Sequence, residues 1–208
     1  MKLPHSPLSS SSRRVTLTAR ILGIELEHNL LDLRDQKACG ALIARNPNSK
    51  IPVLEDGDFV LWESHAIMSY LCARTPGQTL APTETRARAD LDRWLFWSSA
   101  HLSVAVGGLG WENIWKKMVT GEGPDAEQVK RHEILFHQFA TVLDNHLATR
   151  TWISGPTLSL ADLSIAATLM YGRAAKLPLA SYAHILAYQQ RVAALDAWQR
   201  TEPPAFAW

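Results

Sequence analysis

Two clusters of polar residues stand where a helix should begin. Ser9, Ser10, Ser11 and Ser12 precede the spacing Val15, Ala19 and Leu22, and Glu63-Ser64 precede Ile67, Tyr70 and Leu71. A helix start presents free amide donors and partial positive charge, so each cluster can hold an anion. A hydroxyl at such a place can donate to a charged acceptor. Capping is the ordinary alternative for all of these side chains, and Ser11 or Ser12 is expected to cap the first helix.

The elements that must position these clusters follow from the pattern. Ile51 to Leu54 and Phe59 to Trp62 are short apolar runs joined by Glu55-Asp56-Gly57-Asp58, where Asp-Gly supplies the positive φ of a hairpin turn. The runs should pair antiparallel. Pro52 at the mouth of the first run removes a ladder donor, and the Ile51–Pro52 bond is a candidate for the cis form. An amphipathic helix from His65 to Arg74 follows. Before the hairpin come a strand over Lys2 to Ser6, a helix ended by Gly23, a strand over Glu25 to Leu31 and a helix over Gln36 to Ala44. Pro4 is out of place in the first strand, which must bend there or leave a partner unpaired. The expected core of this half is Leu3, Val15, Leu22, Leu26, Leu30, Val53, Leu54, Val60, Ile67 and Leu71.

Pro76, Gly77 and Pro82 interrupt the chain, and only helical periodicity follows. A long helix runs through Leu91, Trp94, Leu95, Trp97 and Ser98 past His101, with a bend expected at Gly107-Gly108. Another covers Asp125 to Thr149, with Ile134, Leu135, Gln138, Phe139, Val142 and Leu143 along one stripe. Ser159 and Asp162 read as a capping box, with Leu158 and Leu163 as its staple, opening a helix through Ile165, Ala166, Leu169 and Met170. A last amphipathic helix spans His184 to Trp198. The tail from Thr201, with Pro203-Pro204, is not helical.

Composition narrows the function classes. With 208 residues, 47% of them hydrophobic and 20% charged, the chain can bury a sizeable core. A net charge of +1 gives no electrostatic footprint for nucleic acid. No apolar run approaches the roughly 18 residues of a membrane span. Met1 to Arg14 is rich in Ser and Arg without acids, as transit peptides are, but it contains residues the first strand needs. Cys39 and Cys72 lack C-x-x-C spacing and read as reduced packing residues. His28, His65, His132 and His137 form no metal-ligand spacing, so no metal is expected.

The string Asn46-Pro47 with Lys50-Ile51-Pro52-Val53-Leu54, followed by Leu61-Trp62-Glu63-Ser64-His65-Ala66-Ile67, closely resembles the glutathione-binding half of the cytosolic-type glutathione S-transferases. Trp152-Ile153-Ser154-Gly155 with Leu158-Ser159-Leu160-Ala161-Asp162-Leu163 resembles the start of that family's buried helix. The likeness spans nearly the whole chain. It implies an α/β, thioredoxin-like N-terminal domain over residues 1–75, a linker over 76–85 and an all-helical C-terminal domain over 86–208.

It also implies roles. Ile51 and Pro52 would position glutathione by backbone contact, Glu63 would take its ammonium and Ser64 its γ-glutamyl carboxylate, and Lys50 would stand near a carboxylate. Ser9 coincides with the catalytic serine of the bacterial theta-, zeta- and delta-like members, Ser10 with the cysteine of beta-like ones, and Ser11 is a further alternate. The second substrate, a small hydrophobic electrophile, would lie among Leu8, Trp97, His101, Val104, Trp111 and Trp115, for which core or dimer packing is the alternative use. The family implies a cytoplasmic homodimer that uses glutathione as co-substrate for detoxification, without metal, nucleic acid or membrane.

Two rival functions keep the fold and change the chemistry. Glutathione-dependent isomerisation or dehalogenation is one, although the Ser-Ser-Cys run of zeta-like isomerases is absent between Ser9 and Ser12. A non-catalytic regulatory or binding protein is the other. Redox relatives carry cysteine at the Ser9 position, so thiol-disulfide exchange lacks its nucleophile here.

Overall fold

The structure is a computed structural model that describes residues 1–32 and 36–203, the side chains of residues 36–39 excepted. Cys39 and the expected Pro204 part of the tail therefore lie outside the described residues. Four strands form one mixed sheet in the order β2-β1-β3-β4: β1 (Lys2–His5), β2 (Glu27–Leu30), β3 (Val53–Asp56) and β4 (Phe59–Trp62). Helices α1 (Ser10–Ile21), α2 (Gln36–Ile43) and α3 (Ser64–Ala73) complete this half. Each expected element is present, the second strand shorter by residues at both ends.

Gly57 at φ 64° closes the β3–β4 hairpin, and Gly23 at φ 69° ends α1. β1 is an interior strand despite Pro4. It runs parallel to β2 along its whole length, while its register with β3 is a single pair, Lys2 opposite Glu55. The paired register with β3 thus ends before the residue that has no N–H to give.

Two expected core residues are not in the core. Leu30 is 68% exposed and Val60 41%, because β2 and β4 are the two edge strands and each of these side chains lies on the open side. Leu22 and Leu26 are partly buried, and the other six are fully enclosed.

After a segment without helix or strand, the remaining chain is helical: α4 (Thr85–Trp97), α5 (Ser103–Gly110), α6 (Lys116–Thr120), α7 (Ala126–Leu147), α8 (Leu160–Leu169), α9 (Ala183–Ala193) and α10 (Asp196–Gln199). Glu84 caps α4 and Asp125 caps α7 through side-chain oxygens. The long helix departs from regular geometry in two π-helical stretches, Ser98–Leu102 and Trp111–Trp115, and not at Gly107-Gly108. Gly108 serves packing: a Cβ there would stand 2.2 Å from the His132 ring of α7. The expected last helix is two, broken around Leu195, which has extended backbone.

α8 is buried on every side and forms the middle of the helical half. Its capping box is present. Asp162 accepts the Ser159 amide at 2.8 Å, the Ser159 hydroxyl at 2.7 Å and the Ile153 amide at 2.8 Å. Burial pushes the Asp162 carboxyl up to about 6, with these donors opposing. Among the described residues no helix is long and apolar enough to cross a membrane.

Candidate active site

Sheet register gathers the candidate residues at one end of the sheet. β1 and β3 are antiparallel, so β1 runs towards the Pro52 end of β3 and delivers the chain there to Pro7, Leu8 and Ser9. β3 and β4 pair Val53 with Trp62. Continued by one residue, that register sets Pro52 against Glu63. The start of α1, the Ile51–Pro52 bond and the start of α3 therefore share one rim.

Each of the three has unusual local structure. The Ile51–Pro52 bond is cis. The turn before it is clamped by Asn46, a buried residue whose Nδ2 donates to the Lys50 carbonyl at 2.7 Å and whose Oδ1 accepts the Asn48 amide at 3.0 Å. Glu63 has φ 70° and ψ 110°, and its side chain makes no capping bond to α3. A glutamate at positive φ costs on the order of 1–3 kcal/mol, so the surrounding hairpin and helix impose it. Ser64 behind it is buried, whereas Glu63 and Lys50 are exposed and Ile51 is half-buried.

At α1 the cap is Ser9, not Ser11 or Ser12. Its Oγ accepts the Ser12 amide at 3.2 Å, while Ser12 itself is fully buried. Ser10 and Ser11 are half-buried in the first turn. Tyr171, just beyond α8, fastens this loop: its hydroxyl accepts the Ser10 amide at 2.9 Å and donates to the Leu8 carbonyl at 2.9 Å.

A polar network behind the rim joins the two halves. Arg14 on α1 donates to His65 Nε2 at 2.8 Å and to the Thr168 hydroxyl at 2.9 Å. Because a guanidinium can only donate, Nε2 is an acceptor, and the His65 proton sits on Nδ1, 2.8 Å from the Ser99 hydroxyl. Ser164 lies 2.6 Å from Nε2 and 2.9 Å from Ser98. Burial first, and the Arg14 charge second, hold the His65 imidazole down to about 3. Arg14 itself is lowered by burial to about 10, with Tyr171 and Glu63 opposing, and stays a cation at neutral pH.

The six residues expected around a second substrate fall into different surroundings. Leu8 is tied to Tyr171, and the Trp115 ring stands edge-on to the same tyrosine at 6.3 Å, so these two lie beside the serine loop. Trp97 and His101 instead meet Phe139 of α7, at 6.3 and 5.1 Å between ring centroids. Val104 and Trp111 are exposed. Cys72 is buried and its thiol is pushed up to about 11 by that burial, as a packing residue should be.

Arg14, His65, Asn46 and Tyr171 have no site role assigned from the sequence. Asn46 had a signal, the Asn-Pro-Asn turn. Arg13-Arg14 had a weaker one, since two adjacent cations directly before Val15 cannot both leave a buried helix face. Tyr171 had none, because its partner Ser10 is distant along the chain.

A mixed four-stranded sheet with a cis-proline strand edge, packed on an all-helical half, defines a thioredoxin-like plus all-helical fold. Residues 8–74 match the family "Glutathione S-transferase, N-terminal domain" and residues 111–196 match "Glutathione S-transferase, C-terminal domain". Glutathione S-transferase 3 of Zea mays is 31% identical over 212 residues, covering 97% of this chain and 92% of that protein. A delta-class glutathione transferase of Nilaparvata lugens superposes with a TM-score of 0.83 at 28% identity, over 97% of this chain and 92% of that one. The theta-class enzyme of Xanthomonas axonopodis pv. citri, solved with glutathione bound, shares the fold with a TM-score of 0.87 at 23% identity, over 99% and 98% of the two chains. The chain belongs to the glutathione S-transferase family.

Proposed function

We propose that this chain is a glutathione transferase that holds glutathione at the rim and activates its thiol with Ser9. The observation that carries the assignment of Ser9 is its place as cap of α1, with Oγ engaged as acceptor by the Ser12 amide. An oxygen that already accepts leaves its own O–H to donate, and the helix start adds partial positive charge at the same spot. A hydrogen bond to a charged group contributes ~1.5–3 kcal/mol, and a pKa unit is about 1.36 kcal/mol, so one hydroxyl lowers a bound thiol by roughly one to two units. From a free value near ~8.5 that ionises much of the thiol at neutral pH. Ser10 and Ser11 are the alternates for the donor.

The tripeptide is held by Ile51 and Pro52 through the backbone, by Glu63 at its ammonium, by Ser64 at its carboxylate and by Lys50 near a carboxylate. The imposed backbone at Glu63, which keeps its carboxylate out of capping, supports that use. The thiolate sulfur then bonds to the electrophilic carbon, and the electron pair displaced leaves with the leaving group or takes a proton from water. Fixing the nucleophile contributes orientation as well as ionisation. Leu8 and Trp115 border the electrophile, with Trp97, His101, Val104 and Trp111 as the wider candidates. Residues 1–75 form the glutathione-binding domain, 76–85 the linker and 86–208 the helical domain. The enzyme works as a cytoplasmic homodimer, and the exposed Phe59, Val60 and Trp62 of β4 and Phe96 of α4 are apolar surface a partner would cover.

The test is an ultraviolet titration of enzyme-bound glutathione thiolate in wild type and Ser9→Ala. Ionisation at least about one unit below free glutathione, lost in the variant, supports both claims. A shift that survives moves the role to Ser10 or Ser11, and absence of glutathione binding overturns the function.

A further inference from the structure

The two π-helical stretches straighten one face of the long helix. Four residues along an α-helix overshoot a full turn by about 40°, so a row of such steps drifts round the axis. A π-helical turn is wider, with i→i+5 bonds, and four residues there fall short of a turn. The step from Ser99 to Ser103 leaves the stretch Ser98–Leu102, the steps through Gly107 to Trp111 cross α5, and the step to Trp115 lies within Trp111–Trp115. The opposed drifts offset, and Ser99, Ser103, Gly107, Trp111 and Trp115 stay on one face.

That face looks towards the rim. At one end Ser99 Oγ meets Nδ1 of His65, the neighbour of the buried Ser64, at 2.8 Å. Ser103 Oγ reaches the Thr168 hydroxyl of α8 at 3.3 Å. At the other end the Trp115 ring stands edge-on to Tyr171, whose hydroxyl holds Ser10 and Leu8 of the serine loop. Trp97 and His101 point the other way, to Phe139 of α7.

Between these contacts the face is bare at Gly107. A Cβ there would meet nothing within 4 Å, whereas one at Gly108, turned towards α7, would strike the His132 ring. Trp111, one turn on, is 41% exposed. Ser103 and Trp111 are eight residues, about 12 Å, apart along the helix. Glycine lets a flat body come down on the backbone itself, and the indole beside it offers a stacking face. The opening is longer than one benzene ring, and its floor is backbone, so its shape favours a planar body of fused rings over a single ring.

We propose that Gly107 sets the size of the electrophile, which is a planar fused-ring aromatic lying over the Gly107 backbone against the Trp111 indole; this rests on glutathione being held at the rim. In the reaction the thiolate sulfur bonds to the ring carbon that carries a halogen, and the carbon–halogen bond breaks. Halide leaves with the electron pair, and the thiol proton has already passed to water.

The experiment compares chlorodinitronaphthalene with chlorodinitrobenzene, which undergo the same displacement and differ by one fused ring. With each rate divided by that of free glutathione, kcat/KM in the wild type should favour the naphthalene by about tenfold or more, the difference lying in the KM for the electrophile. Gly107→Leu fills the opening with a good helix former and should remove that preference. Should that variant not fold, Trp111→Ala decides by the same ratio. Equilibrium dialysis of the full chain with dinitronaphthalene and dinitrobenzene, which lack the leaving group, reads the opening without the thiol. A binding preference for the naphthalene that Gly107→Leu removes supports the opening even where neither chloride is conjugated, an outcome that would sink the glutathione reading alone. Equal affinity for the two arenes, or a preference that survives Gly107→Leu, overturns the proposal whether or not glutathione is conjugated.

Discussion

Ser9 Oγ receives the Ser12 amide at 3.2 Å, so the hydroxyl that caps α1 is the same one proposed as donor at the rim. Removing it should therefore act on two measurable quantities at once. Ser9→Ala loses a cap, about 1 kcal/mol of stability, and loses the thiolate donor, roughly 10- to 100-fold in kcat/KM below neutral pH. Ser9→Thr keeps both functions and should stay within a few-fold of wild type. Urea midpoints and initial rates with a common aromatic electrophile check this pair, and full activity in Ser9→Ala would remove Ser9 from the reaction.

Tyr171 spans the two halves through one oxygen, accepting from Ser10 and donating to the Leu8 carbonyl. Tyr171→Phe leaves both backbone groups unmatched while keeping the ring beside Trp115. The expected loss is about 1–3 kcal/mol, the cost of unsatisfied polar groups. Since the loosened segment carries Ser9, kcat should fall more than glutathione affinity, which steady-state kinetics at varied glutathione would show.

How much of this was legible in the sequence depended on the range of each signal. Asp-Gly at 56–57, the Gly23 stop and the Ser159 and Asp162 box are local, and each is where it was expected. Ser9 as cap was missed because four consecutive serines offer identical side chains, and only the course of the chain out of β1 selects among them. The Gly107-Gly108 bend was wrong for a different reason. Glycine in a helix marks either flexibility or close approach, and His132, which distinguishes them, lies on another helix. Leu30 and Val60 have core-forming types, but strand order, not residue type, decides which strands are edges. The Arg14, His65, Ser164 and Thr168 network joins residues far apart along the chain, and no spacing rule reaches that far.

Gly107 and Gly108 give a paired test of that distinction. Gly107 has open space where a Cβ would go, whereas at Gly108 the Cβ would meet the His132 ring at 2.2 Å. Gly107→Ala should stabilise by up to about 1 kcal/mol from helix propensity alone. Gly108→Ala should destabilise by ~1–3 kcal/mol through overpacking, and His132→Ala in the same chain should restore much of it. Equal and favourable effects of the two single changes in thermal unfolding would show that α5 and α7 are not in close contact.

Acid should weaken the fold through His65 in particular. Its neutral imidazole accepts from Arg14, so a proton on Nε2 would set two donors against each other in a buried place. With a folded value of about 3 against ~6.5 when unfolded, the unfolded chain binds the extra proton between those values. Its contribution is complete above pH ~6.5 and is lost as pH falls, by about 1.4 kcal/mol per unit. His5, lowered to about 4 by burial and then by His28, acts in the same sense. Asp162, raised to about 6, acts in the opposite one, its contribution complete below ~3.8 and lost as pH rises through 6. Between pH 5 and 6 two histidines outweigh one carboxyl, so stability should fall on acidification by about one proton's worth. His65→Gln keeps an acceptor for Arg14 and removes one titration, which should leave stability nearly level over that interval. Urea unfolding at pH 5, 6 and 7 reads the slope directly, and an unchanged slope in the variant would mean that His65 is not the neutral centre of the Arg14 network.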